Sequence, residues 1–109
     1  MSRFDSMADH VSSEYLAECF WPGVADADLH ALDQRAAAAA DDLATTGERV
    51  RYLGSMLMRA DEVVLCRFEG TEGAVRSAAE RAEIPFERIL ESAHSPWHHA
   101  DPIAVTEEQ

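Results

Sequence analysis

The sequence contains no lysine. Its nine cationic side chains are all arginine, set against 21 aspartates and glutamates, for a formal net charge of −12. The arginines are scattered rather than gathered into a stripe. A field of this sign repels phosphate backbones and anionic membrane surfaces, so nucleic acid and lipid headgroups are not expected partners. It attracts cations. Long apolar runs are also missing: nothing approaches the roughly 20 residues a membrane-spanning helix requires. The opening stretch MSRFDSMADHVSS has no apolar h-region, which speaks against a secretory signal and for a cytoplasmic protein. There are two cysteines, Cys19 and Cys66, each inside an apolar run and neither in a CxxC pair. Such isolated cysteines in a reducing compartment are expected to be buried thiols. GxSxG, P-loop, GxGxxG and HExxH patterns are all absent, so no enzyme class is marked.

The 109 residues suit one domain, and a 47% hydrophobic content is enough for a folded core. Residues 1–13 are polar and aperiodic and read as a mobile leader. Residues 14–92 alternate strand and helix patterns. Glu14–Trp21 is aromatic and apolar, ends at Pro22-Gly23, and reads as a strand followed by a turn. From Asp26 to Thr46 the spacing of Leu29, Leu32, Ala36, Ala39 and Leu43 predicts a helix with one apolar stripe, capped at or near Asp26 and stopped by Gly47. Val50–Met58 and Glu62–Glu69 read as strands joined by the short break Arg59-Ala60-Asp61. Thr71 is placed to cap a second helix whose apolar face is Ala74, Val75, Ala78, Ala79 and Ala82, with Pro85 ending it. Phe86–Ser92 reads as a fourth strand, and residues 93–109 as a polar tail.

The order β-α-β-β-α-β predicts an α+β, ferredoxin-like fold: an antiparallel four-stranded sheet, strand 1 between strands 3 and 4, both helices on one face. Residues alternate faces along each strand. If the uncharged sets face the helices, Leu16, Glu18, Phe20, Val63, Leu65 and Arg67 face away. Arg51, Leu53, Ser55 and Leu57 from strand 2 and Glu87, Ile89 and Glu91 from strand 4 are expected to join them. Such a face is too apolar to stay wet, and a second copy of the chain is the expected cover, giving a homodimer. Glu18, Arg67, Glu91 and Arg51 then sit among apolar side chains. They form either a Glu–Arg network sealed in the interface or a polar cluster that binds a ligand or metal.

Three of the five histidines cluster in His94-Ser-Pro-Trp-His98-His99, followed by Asp101. Imidazole and carboxylate donors suit nickel, zinc or copper. Pro96 argues against a helix that would bring His94 and His98 onto one side, so any site here uses extended or turn geometry. His30, in the first helix, reads as a surface residue, and His10 lies in the leader.

The segments YLAECFWPGVADADLHAL, VRYLGSMLMRADEVVLCRFEG and AAERAEIPFERILES resemble a family of small uncharacterised actinobacterial proteins. Their shared pattern runs from a strand ending in Pro-Gly through an alanine-rich helix, "RYL", a "DE" turn before a Cys-and-Phe strand, and a closing "IPFERI". The resemblance covers about residues 14–92 and leaves the histidine cluster outside. It implies a ferredoxin-like fold of the dimeric α/β type and, since the family includes a nickel-binding, nickel-responsive member, a cation-binding function. On that reading the candidate metal ligands are His94, His98, His99, Glu18 and Glu91, with nickel the preferred ion. A dimeric α/β barrel-type enzyme or carrier of a small hydrophobic ligand, with Glu18 as acid/base, is the alternative. A purely structural or regulatory interaction module is a third.

Overall fold

The computed structural model describes residues 13–93. The elements are β1 (Ser13–Phe20), α1 (Asp26–Ala44), β2 (Val50–Met58), a 3₁₀ turn at Arg59–Asp61, β3 (Val63–Gly70), α2 (Glu72–Arg81) and β4 (Arg88–Ser92). The sheet order is β2-β3-β1-β4, every neighbouring pair antiparallel. This is the ferredoxin-like α+β arrangement expected from the element order. Residues 1–12 and 94–109 fall outside the described residues, and Ser13, read as the end of the leader, opens β1.

Local chemistry sets the ends. Ala25 is the N-cap of α1 and has no side chain to offer, so Asp28 reaches back and accepts from the Ala25 amide at 2.9 Å. That is the returning half of a capping box. At α2 the expected cap is present, Thr71 Oγ1 accepting from the Ala74 amide at 3.3 Å. The helix stops earlier than Pro85 suggests. Arg81 is its last residue and Glu83 takes φ 60°, so the chain turns before the proline. Correspondingly β4 starts at Arg88 rather than Phe86.

The helices meet the sheet through small side chains. Ala36, Ala39 and Ala40 of α1 and Ala74, Ala78 and Ala79 of α2 are buried against Ala17 and Cys19 of β1 and Val64, Cys66 and Phe68 of β3. Leu32 and Phe68 are the largest side chains fully enclosed. Each contributes roughly 1.5–3 kcal/mol by leaving water. The Tyr52 ring lies 4.9 Å from that of Phe68, tilted by 59°. Its hydroxyl donates to Asp33 Oδ1 of α1 at 2.5 Å, tying β2 to the helix. Arg35 Nε donates to the Ala82 carbonyl at 2.9 Å and joins the two helices. Cys19 and Cys66 are both free thiols in this core, as their apolar context implied.

Gly70 is required by close approach. A Cβ there would lie 2.1 Å from the Arg49 carbonyl oxygen, at φ 154°. No described helix is long and apolar enough to cross a membrane.

Candidate functional site

Opposed residues in an antiparallel ladder point to the same side, so the pairing register assigns each face. Ala17, Cys19, Val64, Cys66 and Phe68 are in the core, which leaves Leu16, Glu18, Phe20, Val63, Leu65 and Arg67 on the open face as expected. Glu14 and Glu69 join them, since Glu14 opposes Glu69.

Two strands depart from expectation. Tyr52 opposes Phe68 but Gly54 opposes Arg67, so Leu53 is an extra, bulged residue. The bulge reverses the alternation: Ser55 and Leu57 turn to the helix side, and Gly54, Met56 and Met58 take the open face. Gly54, at φ 117°, accommodates the bend. Arg51 and Leu53, which precede the reversal, keep their expected side. In β4, Ile89 opposes Ala17 and Glu91 opposes Tyr15, so both lie on the helix side. Arg88, Leu90 and Ser92 face away instead, opposite Glu18, Leu16 and Glu14. Glu87 precedes the strand, its amide donating to the Glu18 carbonyl at 2.7 Å. Apolar residues at both 89 and 90 give β4 no clean alternation, and placing charges outward selects the wrong phase.

The open face divides along the strands. At one end lie Arg51, Glu69, Glu14 and Arg67. Arg51 Nη2 meets Glu69 Oε1 at 2.6 Å, and Arg67 Nε donates to Glu14 Oε2 at 3.1 Å. At the other end lie Phe20, Val63, Leu65, Met56 and Met58, with Phe20 55%, Met56 42% and Met58 45% exposed. Beside them Arg88 Nε donates to Glu18 Oε1 at 2.5 Å. The expected four-residue polar cluster is therefore three separate cross-strand ion pairs. Arg88, missed by the sequence reading, holds Glu18 because register sets it directly opposite.

The candidate ligands separate as follows. Glu18 is on the open face and engaged by Arg88. Glu91 is on the other face, near Tyr15. Burial, then the negative charges of Glu91 and Glu72, hold the Tyr15 phenol above its ordinary pKa. Glu18 and Glu91 of one chain thus do not converge on a common point. His94, His98 and His99 lie outside the described residues. Among the described residues, no three His, Cys, Asp or Glu side chains group to hold a metal. His30 is exposed on α1.

Two further features carry chemistry. Cys66 and Tyr52 neighbour each other in the core. The hydrogen bond to Cys19, then burial, hold Cys66 as a thiol. Burial, then the bond to Asp33, raise Tyr52. A cleft of about 180 Å³ opens where β1 ends and the β2–β3 turn reverses, lined by Trp21, Gly23, Val24, Leu57, Arg59 and Glu62. Glu18 is not part of it.

No protein-family model matches the chain, and no curated protein matches it either. Among solved structures, the crystal structure of SCO4226 from Streptomyces coelicolor A3(2) is similar: TM-score 0.61, 23% identity, covering 76% of this chain and 99% of that one. At that identity the similarity supports the ferredoxin-like fold and nothing finer.

Proposed function

We propose that this chain is the subunit of a cytoplasmic homodimer that binds a divalent cation, nickel foremost. The observation that carries the reading is the open face, where Phe20, Met56 and Met58 stand together in water beside Leu65 and Val63. Monomeric proteins rarely leave such a patch uncovered. A second copy is its natural cover, because the face is self-complementary: apolar at one end and carrying both Arg and Glu at the other.

The cation reading draws on composition. A net charge of −12 concentrates cations, and His94, His98, His99 and Asp101 follow directly on the edge strand β4. Their nitrogen and oxygen donors suit nickel. Glu91 lies three residues before His94 in sequence and, unlike Glu18, is not held by an arginine opposite it in the ladder. Glu18 is better explained as the partner of Arg88 within the covered face, which also argues against it as a free acid/base. The reducing cytoplasm fits two free buried thiols.

The test is calorimetric titration of the full chain, stripped with chelator, with nickel and zinc. Saturable nickel binding at about micromolar concentration, lost in His98→Ala/His99→Ala, is the expected result. No heat of binding from either ion would end the cation reading and leave the homodimer to be judged by its own measurement.

A further inference from the structure

The cleft at the end of β1 is lined by residues other than those of the open face. Trp21, Val24 and Leu57 form one wall and are packed against the core, so that wall is fixed. Gly23 leaves the floor clear, since a Cβ there would meet nothing within 4 Å. The two loops that frame the cleft are held together by the Trp21 amide donating to the Glu62 carbonyl at 2.7 Å.

The mouth carries two opposite charges that are not spent on each other. Arg59 begins the 3₁₀ turn, and among the described residues it pairs with the Asp26 carboxylate at 4.0 Å, both side chains being largely in water. Such a pair contributes little. Glu62 closes the turn in the left-handed region, φ 56°, and has no side-chain partner among the described residues. This contrasts with the ion-paired Arg51, Arg67 and Arg88 of the sheet.

We infer that this cleft binds a small zwitterion with an apolar body: an α-amino acid with an aliphatic or single-ring side chain. The side chain lies against Trp21, Val24 and Leu57, the carboxylate meets Arg59, and the ammonium meets Glu62. The size agrees. A cavity of about 150 Å³ suffices for one benzene ring, and drug-sized pockets start at about 300 Å³. A cleft of about 180 Å³ therefore has room for one such side chain. Arg59 alone would favour any carboxylate. Glu62 at the same mouth restricts the choice to molecules that also carry a cation.

The experiment uses the full chain with Trp97→Phe, leaving Trp21 as the one tryptophan of the two. Its fluorescence is titrated with L-leucine, with 4-methylpentanoate, which lacks the ammonium, and with isopentylamine, which lacks the carboxylate. L-Leucine should saturate below about 20 mM and bind at least about fivefold tighter than either analogue. Arg59→Gln should abolish the preference for leucine over the amine, and Glu62→Gln the preference over the acid. Both positions are exposed, so neither change threatens the fold. Amide shifts in nitrogen-edited NMR should be confined to Trp21, Gly23, Val24, Leu57 and the 59–62 turn. Equal binding of all three probes, shifts elsewhere, or no saturation with leucine overturns the proposal.

Discussion

The open face gives the sharpest prediction. In the proposed homodimer, Phe20, Met56 and Met58 of each copy leave water, and each is about half exposed in the isolated chain. Full burial of a Phe or Met side chain is worth about 1.5–3 kcal/mol, so each half-exposed residue contributes about 1 kcal/mol and the six in a dimer about 6 kcal/mol. That corresponds to about ten-thousand-fold in dissociation constant. The double substitution Met56→Glu/Met58→Glu removes most of that gain and sets four like charges into the interface. Both positions face solvent in the single chain, so the fold itself should survive, which circular dichroism would check. Sedimentation velocity from about 1 to about 100 µM should show wild-type dimer throughout and variant monomer throughout. A wild-type chain that stays monomeric at the top of that range, or a variant that dimerises within tenfold of it, would refute the reasoning.

Gly70→Ala should cost about 3–5 kcal/mol, combining backbone strain with a steric clash against the Arg49 carbonyl, and should lower Tm by more than about 10 °C in calorimetry. A loss under about 1 kcal/mol would show that the β2 entrance can move aside. Alkaline stability should decline as Tyr52 is asked to ionise. Its phenol keeps its proton in the fold above the ordinary range, whereas the unfolded chain releases it near pH 10. The unfolded state then binds fewer protons, so stability falls as pH rises through that value. Urea midpoints at pH 7.5, 9 and 10.5 would show this, and Tyr52→Phe should flatten the decline while costing about 1–2 kcal/mol at neutral pH through the lost bond to Asp33. A midpoint independent of pH would remove the assignment. Ala36→Leu should destabilise by about 1–3 kcal/mol, because α1 sits close to the sheet at that alanine; an unchanged denaturant midpoint would mean the layer has slack.

What the sequence determined by itself follows from local periodicity. The 3–4 spacing of Leu32, Ala36 and Ala39 and of Ala74, Val75 and Ala78 specified two one-sided helices. The alternation in Glu14–Phe20 and Val63–Glu69 specified two central strands, each with one face free of charge. Right-handed connection of these pieces then leaves few orders besides β2-β3-β1-β4. Which side chain faces where on the outer strands was decided only in three dimensions. A single extra residue, Leu53, reverses every later position of β2, and no residue-by-residue pattern announces a bulge whose cause is the fit of one strand against another. The phase of β4 depends on Ile89 finding space beside Ala17, which is a property of the packed core. The partner of Glu18 lies 70 residues away in sequence, and Arg59 and Glu62 meet Trp21 only because β1 and the β2–β3 turn end at the same edge of the molecule. Contacts between distant segments are made by the tertiary fold, and the chemistry of this protein's surface is built from such contacts.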